Sequence, residues 1–197
     1  MVSAAGDLDL RGGHPVIDFV NTVAWRGDAA RRLDYLVHYS DVLAWCRHSG
    51  VVPTTESPIL MRAGDSEPAE ARRAVARAKR LREALHAWFA GGSPAGLTTI
   101  HAEYVSAVRH RELRPDNDAV AWADREITLY SPIDRLSADA VGLITLVPRG
   151  RIKQCGDTSC GWLFLDTSHR QNRRWCSAAD CGNRDRARRH YERSRGR

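Results

Sequence analysis

Two short cysteine pairs late in the chain constrain its fold more than any other feature. Four residues separate Cys155 from Cys160, four separate Cys176 from Cys181, and fifteen divide the pairs. Zinc asks for a closed tetrahedron of four thiolates, two from each of two tight turns. Gly156, Gly161, Asp157 and Ser159 are the turn residues that let backbone wrap toward an ion. Between the pairs "GWLFLD" (161–166) is apolar on both faces, as a strand covered on both sides would be. Ser177 is placed to cap a helix that carries Cys181 in its first turn or two. Knuckle, hairpin and ligand-bearing helix together predict a treble-clef-like zinc finger with four cysteine ligands. It would hold one structural Zn2+ through Cys155, Cys160, Cys176 and Cys181. Two disulfides or free buried thiols are the alternative, and neither explains why both pairs are short-spaced.

The rest of the chain sets the compartment and the partner class. The start, "MVSAAGDLDLRGG", has early acidic residues and no apolar stretch of a signal peptide. The longest apolar run, 138–148, is too short to span a bilayer. A cytosolic protein that keeps its thiols reduced is therefore expected, without a membrane partner. Charge is uneven: residues 149–197 carry 13 Lys+Arg against 5 Asp+Glu, although the whole chain is only +6. A basic quarter on a near-neutral body points to a polyanion.

Hydrophobic periodicity makes residues 1–148 a mainly helical domain. "HPVIDFVNTVAW" spaces Val16, Ile17, Phe19, Val20 and Val23 like a helix. Ser40 is placed to cap a second helix with Val42, Leu43, Trp45 and Cys46 inward, stopped by Gly50. "VVPTTESPILMRAGDS" reads as loop with a short helical turn. The alanine-rich stretch from Pro68 is a long helix ended by Gly91 and Gly92, and "LTTIHAEYVSAVRH" is another. Short alternating runs around Trp122 and Ile127–Leu129 predict a small hairpin, and "PIDRLSADAVGLITLV" a last helix. "VPRGR" marks the boundary between domains at 1–148 and 149–197.

"CGWLFLDTSHRQNRRWCSAADCGNR" resembles the CGNR zinc finger, its tetrapeptide here being Cys181–Arg184. "GGHPVIDFVNT" with Trp25, and "DVLAWCRHSGVV", resemble the ABATE domain that precedes this finger in a bacterial family of stress-induced transcription regulators. The resemblance implies a DNA-binding regulator in the bacterial cytosol, associated with the nucleoid. It also implies an N-terminal domain open to a small-molecule effector, and a homodimer is compatible with it.

The residues can be assigned roles on that basis. On a helix from Ser177, Arg184, Arg188, Tyr191 and Arg195 fall on one line, with Arg186, Arg189, Arg193 and Arg197 in the adjoining sector. Arg170, Arg173 and Arg174 extend the basic patch from the loop before the third cysteine. Guanidinium forks suit phosphates and guanine edges, and Asn183 suits adenine or the loop beside the metal. Asn21, Trp25 and Trp45 are the candidate effector contacts, although a buried asparagine more often closes a structural clasp. RNA and an acidic protein are the rival partners. His169 and His190 stand apart from one another, and no nucleophile triad, phosphate loop or H-E-x-x-H is present, so no enzymatic activity is expected.

Overall fold

The computed structural model describes residues 4–195. Arg197, which the helical spacing places on the basic face, and the outer ends of both predicted domains lie outside the described residues. Helix α1 (Pro15–Val20) starts where the His14 ring accepts the Val16 N–H and Pro15 presets the first turn. It ends at Asn21, so Val23 belongs instead to a two-residue strand, β1 (Val23–Ala24), paired antiparallel with β2 (Leu33–Asp34). Helix α2 (Tyr39–His48) begins one residue before the expected cap. The Asp41 carboxylate, not Ser40, accepts the free N–H groups of Val37 and His38.

Residues 51–66 hold a full helix, α3 (Ser57–Ser66), where the sequence predicts only a turn. Leu60 is its one buried residue, and the apolar Ile59 and Met61 beside it are exposed, so burial does little to mark the helix. Helix α4 (Pro68–Gly91) is the axis of the fold and is closed by Gly92 at φ +67, a left-handed cap that glycine adopts without strain. It packs on α1, α2, α3, on α5 (Pro94–Arg109) and on α6 (Ser131–Leu146). Trp45 lies fully buried against Phe19, their ring centroids 5.4 Å apart.

The hairpin exists but is paired differently from the sequence reading. Strand β4 (Ala119–Asp124) contains Trp122, yet its partner is the upstream β3 (Arg111–Asp116) rather than Ile127–Leu129. "RELRPD" carries one leucine and a proline, so alternation is invisible there; the Asn117–Asp118 turn, with Asn117 at φ +51, is the local signal of this pairing. Leu129 is used instead to cover the core beside α6.

After Pro148 a short turn leads into β5 (Ile152–Gln154), which pairs antiparallel with β6 (Leu163–Leu165). A π-helical turn (Ala178–Gly182) runs into α7 (Asn183–Arg195), and the Ser177 hydroxyl accepts the Asp180 N–H at its start. Knuckle, hairpin and helix thus follow in the order the cysteine spacing predicts.

The finger is seamed into the helical body. Ile152 and Leu163 belong to the same hydrophobic core as α1, α2, α4 and α6. Asn21, 1% exposed, donates its amide to the Leu163 carbonyl (2.9 Å) and accepts the Leu163 N–H (2.8 Å), acting as an extra strand residue beside β6. The Leu165 N–H reaches the Gly12 carbonyl, and the Trp162 indole donates to Val23. Asn21→Ala leaves two buried backbone groups unpaired. It should cost on the order of 2 kcal/mol in urea unfolding while leaving far-ultraviolet helicity unchanged.

Candidate zinc centre and basic helix

The four predicted ligands converge. The Sγ atoms of Cys155, Cys160, Cys176 and Cys181 all lie within 4.8 Å of one another, and all four residues are buried. Cys160 and Cys176 sulfurs are 3.8 Å apart, Cys176 and Cys181 sulfurs 3.5 Å. A tetrahedron with Zn–S of about 2.3 Å has edges of roughly 3.8 Å, so the donor set fits the ion by size as well as by chemistry. Cys155 follows β5, Cys160 closes the knuckle before β6, Cys176 ends the loop and Cys181 sits in the π-helical turn.

Crowding also alters the proton affinity of the sulfurs. Hydrogen bonds from Cys160 and Cys176 draw the Cys155 thiol down, and that sulfur in turn drives the Cys160 and Cys176 thiols up. Burial raises Cys181 as well. Four crowded thiolates repel unless a cation neutralises them, which is the role a divalent ion fills. The sulfurs are further held by the Cys176 N–H to Cys155 (3.5 Å) and by the Arg184 guanidinium to Cys181 (2.9 Å).

Arg184 is therefore part of the metal site's frame. Its guanidinium also grips Asp157 (2.9 Å) and lies 4.8 Å from the centre of the Trp25 ring. Burial opposes ionisation of Asp157, but the Ser159 and Arg184 hydrogen bonds outweigh it and hold that carboxyl below its usual range. Arg173, half-buried, also makes contacts within the finger. It donates to the carbonyls of Trp175 (3.0 Å) and Cys176 (2.6 Å), and stacks over Phe164. These two arginines, assigned from sequence to nucleic acid, brace the finger, because unpaired carbonyls and a thiolate lie within their reach. Asn183, exposed at the start of α7, donates to the Ala179 carbonyl and accepts from Arg186.

The other basic candidates face solvent. Arg170, Arg174, Arg186, Arg188, Arg189, Arg193 and Arg195 all keep their side chains at the surface. Buried Asp185 pairs with both Arg188 and Arg189, which orients them, and Arg195 lies over Tyr191. Asp180 takes Arg11 and the Ser177 hydroxyl. Sequence spacing singles out neither Arg11 nor Asp166. Asp166 is fully buried and organises Lys153, Ser168 and the Arg173 N–H, and a lone acid in a loop carries no spacing signal.

The three candidate effector contacts do not form a common site. Asn21 is spent on Leu163 and Trp45 is sealed in the core, which leaves Trp25, half-buried at the seam. Cys46 is fully buried outside the cluster, and burial pushes its thiol up. Among the described residues the four cysteines form the one group of three or more with metal-ligand geometry.

Comparison with known families agrees with this geometry. Residues 151–194 match the CGNR zinc finger, and residues 13–146 match ABATE, described as "Putative stress-induced transcription regulator". These are a zinc-finger and a regulator family, not enzyme families. The chain belongs to the ABATE family and ends its matched region in a CGNR finger whose four cysteines form a zinc-binding site. No curated protein matches it. No helix among the described residues is long and apolar enough to cross a membrane.

The site makes two outcomes measurable. Zinc should bind one per chain and be released progressively as pH falls, because acid protonates the thiolates; Cys46→Ala should keep the full metal content. Loss of metal from Cys46→Ala, read by a colorimetric chelator, would mean a different ligand set. Arg184→Ala removes a bond to a ligand sulfur and should weaken zinc by about 10–100-fold in chelator competition.

Proposed function

We propose that the chain is a zinc-dependent, DNA-binding transcription regulator of stress responses that grips the duplex backbone through α7. One observation carries the reading: a row of exposed guanidiniums on a helix whose root is locked to a tetrathiolate site. Arg186, Arg188, Arg189, Arg193 and Arg195 occupy successive turns and, with Arg170 and Arg174 in the preceding loop, form a basic surface. The metal contributes rigidity and no chemistry to a substrate. It fixes the angle at which α7 leaves the finger, and Ser177 and Arg11 hold the same turn from outside through Asp180.

Backbone gripping is favoured over base reading. Asn183 and Arg184, at the helix start where base edges are commonly reached, are committed to Ala179, Asp157 and Cys181. The outward residues are arginines without shape-selective neighbours, suited to phosphate oxygens. Tyr191, 58% exposed, is the one aromatic among them, which supports duplex over stacked single strands. A regulator of this kind acts in the cytosol at the nucleoid.

A salt series with a labelled duplex tests this. Log K should fall with log salt at about −0.9 per phosphate contacted, and Arg193→Ala or Arg195→Ala should each flatten the slope by about 0.9 with zinc retained. Absence of binding to any duplex at low salt would defeat the reading, and an acidic protein partner would then take its place.

A further inference from the structure

We propose that the N-terminal domain supplies a second nucleic-acid contact, the Arg31–Arg32 tip of the loop between β1 and β2, so that both halves of the molecule hold one duplex. The inference rests on the DNA-binding reading above and extends it from the finger to the N-terminal domain.

The loop is seated on the zinc knuckle by fixed contacts. The Arg26 N–H donates to the Cys160 carbonyl (3.1 Å), and the Arg26 guanidinium is clamped by Glu83 of α4 (2.7 and 3.1 Å). At Gly27 a Cβ would stand 1.8 Å from the Thr158 carbonyl oxygen, so no other residue permits this approach. Trp25 adopts φ +56, a conformation rare for a bulky side chain and held here by the seam. The loop then folds on itself through Asp28, which accepts the Ala30 N–H on its carboxylate and the Arg31 N–H on its carbonyl. Its tip is thus placed against the finger by construction.

The two guanidiniums at that tip make no ion pair among the described residues. Arg31 lies 3.4 Å from the centre of the Trp25 ring, and Arg184 lies 4.8 Å from the same centre, so one indole holds both guanidiniums close together. Arg184 is neutralised by Asp157, whereas Arg31 and Arg32 are exposed and carry no ion pair among the described residues. The acids nearby are already engaged: Asp34 by Arg82 and Lys79, Asp28 by the turn. A guanidinium stacked on an indole keeps its N–H edge free for an oxyanion. Arg188 lies one turn beyond Arg184 on the same line of α7, so the tip continues the basic row of the finger. Arg31 and Arg32 therefore meet the phosphates next to those held by α7.

The test uses the full zinc-loaded chain and a fluorescein-labelled mixed-sequence duplex, read by anisotropy across a salt series. Arg31→Ala/Arg32→Ala should flatten the log–log slope by about 0.9 for each phosphate no longer neutralised, with zinc content and thermal midpoint unchanged. Arg62→Ala/Arg109→Ala removes the same charge from α3 and from the end of α5 and should keep the wild-type slope. A wild-type slope in the first variant, or equal flattening in the second, overturns the proposal while leaving duplex binding by α7 intact. Failure of the unmodified chain to bind any duplex overturns both readings, and tighter binding of single-stranded RNA at matched salt overturns the duplex as partner.

Discussion

The meeting of four sulfurs at one point is the constraint on which the C-terminal region depends. Its own apolar core is Phe164, with Trp162 and Trp175 partly buried around it. A segment of this size rarely folds alone on such a core, and four cysteines that can ligate zinc sit at its centre. Once the thiolates are fixed, Cys181 fixes the π-helical turn, and that turn fixes the direction of α7. The basic surface is therefore a consequence of the metal site, not an appendage beside it.

A second constraint ties that site to the helical body. Asn21 mimics a strand partner for Leu163, and Gly12 accepts from Leu165 further along the same strand. Strand β6 is consequently satisfied by residues from both halves of the chain, while its side chains divide between the main core and the zinc cluster. Arg184 spans the remaining gap, touching a ligand sulfur, a knuckle carboxylate and an N-terminal indole. Arg184 thus joins the metal site to Trp25, alongside the Arg26 N–H on the Cys160 carbonyl.

Much of the fold is legible where periodicity or spacing is strong. Helices α4, α5 and α6, the knuckle–hairpin–helix order and the four ligands follow from apolar stripes and from the repeated four-residue gaps. Helix α3 and strand β3 are not legible, because α3 buries only Leu60 and β3 is a charged edge strand with a proline. Hydrophobic patterning is read as burial on a face, and here α3 buries one residue while most of β3 is exposed.

The sequence by itself determined the zinc ligands and the basic character of the last helix, since ligand spacing and charge are local properties of a chain. Only the tertiary structure decided which arginines are free. Arg173 and Arg184 look identical to Arg170 and Arg193 in a sequence, but a guanidinium beside a carbonyl, sulfur or carboxylate of the finger is tied to it. Whether such a partner is near depends on residues far away in the chain, as Trp25 and Asp157 are from Arg184. The same holds for Arg31 and Arg32, whose position beside the finger is set by a carbonyl of Thr158 pressed against Gly27.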